Sequence, residues 1–78
     1  MKYYWVEFGN GPAICSCTIR TNKSLKEIEC WVKTWKPLRK KDTVHFISAQ
    51  EVDKNEWIKF LDCFDPSERE AVIKECTL

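Results

Sequence analysis

Residues 2–19 read KYYWVEF, GNGP and AICSCTI, two alternating runs separated by turn residues. No other stretch limits the fold as tightly. Alternation with a period of two marks a strand that buries one face. Asn10-Gly11 tolerates the positive φ angles of a tight reversal. Pro12 has no N–H to close a two-residue turn, so the expected connection is a four-residue loop over residues 9–12. Phe8 then opposes Ala13, Val6 opposes Cys15 and Tyr4 opposes Cys17. One face of the hairpin collects Tyr4, Val6, Phe8, Ala13, Cys15, Cys17 and Ile19, which is a core surface. The other collects Tyr3, Trp5, Glu7, Ile14, Ser16 and Thr18, two large aromatics among mostly polar groups.

After a short polar link, Ser24 and Glu27 form a capping box that opens a helix predicted to reach about Trp35. Leu25, Ile28, Val32 and Trp35 recur at helical spacing, with Trp31 at the edge of the stripe. Pro37 stops the helix, and the basic segment LRKKD leads to a third strand over residues 43–49. There Val44 and Phe46 point one way and His45 and Ile47 the other, so both faces of that strand carry an apolar residue. Asp53 and Glu56 open a second helix over residues 54–63, with Trp57, Ile58, Leu61 and Phe64 inward and Phe60 beside them. Asp65-Pro66-Ser67-Glu68 opens a last helix over residues 66–76.

The predicted order is ββαβαα. The third strand lies either antiparallel beside the first or parallel beside the second; the first arrangement asks less of the connecting loop and is the one expected. The fold class is a single α+β domain over residues 1–78, two-layered, with a small, mostly antiparallel three-stranded sheet packed by helices. Seventy-eight residues leave no room for a second core.

No apolar run is long enough to span a bilayer, so no membrane partner is expected. The first residues enter a strand pattern without the layout of a leader peptide, and a cytoplasmic location follows as the expectation. Five cysteines at irregular spacing are a poor disulfide framework and fit a reducing compartment. Net charge is only +1, but it is segregated. Residues 20–41 hold eight basic side chains against two acids, whereas residues 42–78 hold nine acids against four bases. Such asymmetry bears on association rather than on fold.

Catalytic signatures are missing. There is no glycine-rich phosphate loop and no G-x-S-x-G, and both glycines belong to the hairpin turn. His45 is the lone histidine and sits mid-strand, where a structural imidazole is the commoner case. Cys15, Cys17, Cys30, Cys63, Cys76 and His45 offer zinc-type donors, yet no C-x-x-C pair organises them. Reduced cysteine is also a small, readily buried hydrophobe. The expectation is a protein that is not an enzyme and takes no metal or cofactor.

What remains for engaging a partner is rings and cations. Tyr3 and Trp5 suit a protein interface if their face is open, and become ordinary core if the last helices cover it. Lys33, Lys36, Arg39, Lys40 and Lys41 form a basic stretch around Trp35. The expected function is a small binding protein acting through a protein–protein surface built from these residues. A concrete form is a phage or mobile-element inhibitor of a host defence complex, of the anti-CRISPR kind, an analogy of size and class carried by no motif. The alternative is a nucleic-acid-binding module using residues 33–41, where cations track phosphates and an aromatic stacks on a base. Neither RNP-type sheet motif accompanies it.

Overall fold

The computed structural model describes residues 1–34 and 44–78. β1 (Lys2–Asn10) and β2 (Ala13–Thr21) make the hairpin, followed by α1 (Leu25–Thr34), β3 (Val44–Val52), α2 (Lys54–Asp62) and α3 (Pro66–Glu75). The sheet order is β2-β1-β3 with both pairings antiparallel. The fold is therefore α+β in ββαβαα order, and the first strand is central, as expected.

The turn is tighter than the sequence reading placed it. Asn10 pairs with Ala13, leaving only Gly11 and Pro12 in the loop. Gly11 has φ 62°, a conformation glycine adopts without steric penalty. The N–H that closes such a turn belongs to the fourth residue, Ala13, so the proton missing from Pro12 is never needed. Phe8 consequently opposes Cys15, Val6 opposes Cys17 and Tyr4 opposes Ile19. The pairing moved by two residues, and an even shift leaves each side chain on its expected face.

β3 runs on to Val52, three residues beyond its predicted end, and it carries a bulge. Val6 pairs with Ala49 and Glu7 with Ser48, but Phe8 pairs with Phe46, so Ile47 is the extra residue. The bulge changes the alternation. Val44, Phe46 and Ala49 share the face of Phe8 and Val6, while His45, Ser48, Gln50 and Val52 share the opposite face. Ile47 drops out of the alternation and is 44% exposed. The expected pairing of His45 with Ile47 on one face fails for that reason.

The first face is the core. Tyr4, Val6, Phe8, Cys17 and Ile19 are buried together with Ile28 and Val32, which α1 lays across them. The capping box holds α1 at its start: the Glu27 N–H donates to Ser24 Oγ, and the Ser24 N–H donates to Glu27 Oε1, both at 3.3 Å. Leu25, expected on the buried stripe, is 53% exposed.

α2 lies on the opposite face. Tyr3 and Arg20 are cross-strand partners there, and both meet Trp57. Asp53 caps this helix by accepting from the Glu56 N–H at 3.2 Å. Residues 57, 60, 61 and 64 share one helical face, which turns Ile58 outward and brings Phe60 in, reversing the expected roles of the last two. The two-layer packing thus gains a third layer where α2 crosses the sheet.

After α3 the chain returns to the outer edge of β2. The Arg20 N–H donates to the Cys76 carbonyl and the Leu78 N–H to the Arg20 carbonyl, each at 3.0 Å. This parallel bridge at Thr77 buries Cys76 beside Cys17. A hydrogen bond with Cys76, and then burial, push the Cys17 thiol above the ordinary cysteine range; Cys76, which accepts that bond, is held below it. All five cysteines are free thiols. Among the described residues no helix is long and apolar enough to cross a membrane.

Candidate functional site: the half-covered sheet face

The second face of the sheet is built as rows across β2, β1 and β3. From the turn downward they are Ile14, Gly9 and His45; then Ser16, Glu7 and Ser48; then Thr18, Trp5 and Gln50; then Arg20, Tyr3 and Val52. α2 covers the lowest row. The Trp57 ring centroid stands 6.1 Å from that of Tyr3, and the Arg20 guanidinium lies 5.5 Å from the Trp57 centroid. Phe60 follows at 6.1 Å from Trp57, and Phe64 meets Phe60 edge-on at 5.2 Å. A cation over an indole and a train of tilted rings hold α2 in place.

Cover ends within the Trp5 row. Thr18 is buried at 1% exposure, whereas Trp5, directly across from it, is 41% exposed. Between Trp5 and α2 runs a groove of about 220 Å³, lined also by Thr18, Glu56, Lys59 and Phe60. Above it the face is open. Ser16, Ser48 and Gln50 are exposed, and Ile14 is 73% exposed. The Ser48 hydroxyl donates to Glu7 Oε1 at 3.5 Å, and Lys59 pairs with Glu56 at 3.6 Å. An amphipathic ring thus stands half out of a polar, solvent-facing sheet, with exposed aliphatic groups at Ile14 and, on the bulge, Ile47.

Of the residues singled out from sequence, Tyr3 and Trp5 share this face but not its exposure: Tyr3 is half-buried under α2 and acts in packing, while Trp5 is accessible. Lys33 is elsewhere. It sits at the end of α1, across the sheet from Trp5, and pairs with Glu29 at 4.0 Å. Lys36, Arg39, Lys40 and Lys41 lie outside the described residues. Gln50 lies one residue beyond the strand predicted over 43–49, and Ser48, inside it, is turned to this face by a bulge that has no sequence mark.

His45 lies against Gly9, and the Cys63 thiol donates to the Lys59 carbonyl at 3.4 Å. Among the described residues no three of His, Cys, Asp or Glu come together as metal donors. Comparison with protein-family profiles, curated proteins and solved structures finds no match to this chain.

Proposed function

We propose that this is a small, non-enzymatic binding protein that engages a protein partner through the open part of the second sheet face, with Trp5 as the anchor. The observation that supports this is the exposure of Trp5 at the rim of α2, beside a groove and an uncovered polar strand. Accessible tryptophans ringed by polar groups are favoured interface anchors, since they desolvate a large area with few rotamers. Tyr3 serves this reading indirectly, by fixing Trp57 and hence the edge of the groove.

The test is affinity capture from a nuclease-treated native lysate with the wild-type chain and Trp5→Ala. A partner retained by the first and lost by a still-folded second supports the reading; equal retention by both counts against it. A narrower version makes the partner a bacterial defence complex and this chain its inhibitor, in a reducing cytoplasm that suits five free thiols. Restored phage plating on a strain with active immunity, upon expression of the chain, is its test. The nucleic-acid alternative separates by salt, since phosphate binding weakens steeply as salt rises.

A further inference from the structure

A second and larger groove lies on the other side of the molecule. It measures about 600 Å³ and runs between the exposed side of α1 and Leu78. Its lining is mostly apolar, with Trp31, Cys30 and Leu78 contributing. Lys23 and Lys26 also line it, both exposed, and among the described residues neither forms an ion pair. The one acid in the lining, Glu27, is engaged: its Oε1 accepts from the Ser24 N–H at 3.3 Å and from the Ser24 hydroxyl at 3.2 Å.

We infer that this groove docks an acidic peptide segment carrying an apolar anchor. The apolar lining beside an indole takes the anchor, and the two exposed ammonium groups meet carboxylates flanking it. Affinity then comes from the buried anchor, and orientation from charge complementarity. A groove open along its solvent side suits an extended or helical segment better than an enclosed small molecule. Nucleic acid fits less well. A phosphate backbone needs a continuous run of cations, whereas here Glu27 sits between the lysines and the thiol, and Lys33 is already paired with Glu29. The site lies across the sheet from Trp5, so it stands or falls independently of the function proposed above.

The experiment is an amide NMR titration of the full chain with four probes. These are a short peptide of glutamates around one tryptophan and two leucines, the same peptide with lysine for glutamate, an all-glutamate peptide, and a single-stranded oligonucleotide. Only the first is expected to shift the Lys23, Cys30 and Trp31 resonances, leaving Trp5 unmoved. Lys23→Glu with Lys26→Glu should weaken it by at least about tenfold, the change expected on turning two attractive rim charges repulsive. Trp31 is half-buried and its removal risks the fold, so Cys30→Trp, which fills the groove from an exposed position, supplies the second variant and should also block binding. No shift at Trp31 up to millimolar acidic peptide, equal binding of the lysine peptide, or perturbation of the groove by the oligonucleotide instead would each overturn the assignment.

Discussion

His45 stands directly opposite Gly9 across the β1–β3 ladder, and its imidazole fills the space that a β-carbon on Gly9 would take. A methyl group placed there falls against ring atoms Cε1, Nε2 and Nδ1. The ring is exposed and can swing away, so Gly9→Ala should displace it at a cost of no more than about 0.5 kcal/mol in denaturant midpoints. The displacement should show as shifted His45 side-chain resonances. A loss above about 1 kcal/mol would contradict a freely displaced ring.

The phase of α2 is open to a paired test. Trp57 is buried among Tyr3, Phe60 and Arg20, whereas Ile58, one residue on, is 45% exposed. Trp57→Ala should cost about 3–5 kcal/mol, enough to leave a domain this small largely unfolded by near-UV circular dichroism. Ile58→Ala should stay within about 0.5 kcal/mol of wild type. Comparable losses at the two positions would contradict the described face.

The start of α1 rests on Ser24 and Glu27. Ser24→Ala removes the acceptor for the Glu27 N–H and the hydroxyl donor to Glu27 Oε1. A loss of about 0.5–2 kcal/mol is expected in thermal or chemical unfolding, with Ser24→Asp retaining most of the stability.

The buried thiols predict an alkaline limit. Cys17 keeps its proton in the folded chain above the ordinary cysteine pKa of 9.0, held first by the hydrogen bond with Cys76 and then by burial. The unfolded chain releases that proton near 9.0, so above this pH it binds fewer protons than the folded chain and stability falls as pH rises. The contribution is fully present below that range. In Cys17→Ala the remaining thiol, Cys76, loses the bond that lowers it and keeps burial and Glu75, which raise it, so the slope should persist. Cys17→Ala with Cys76→Ala should flatten it, and an unchanged slope in that double variant would sink the explanation. Alkylation should modify Cys30 and Cys63, which are exposed, well before Cys17 and Cys76.

The sequence by itself determined the local features. A period of two assigned every hairpin side chain to its face, and even a misplaced turn did not disturb that, because the error was two residues. Ser24 with Glu27 and Asp53 with Glu56 announced two helix starts, since a cap is made by atoms three residues apart. Tertiary structure decided what depends on distant neighbours. The bulge at Ile47 arises where β3 meets Glu7 and Phe8, and it alone turns Ser48 and Gln50 toward Trp5. Tyr3 and Trp5 are alike in strand and face, yet Trp57 and Arg20 close over the first and leave the second half exposed. Likewise Cys17 and Cys76, far apart in the chain, become neighbours only because Arg20 draws the last residues to the sheet edge. Alternation and capping are short-range and legible in order; cover, register and contact are sums over the whole chain, and no single stretch encodes them.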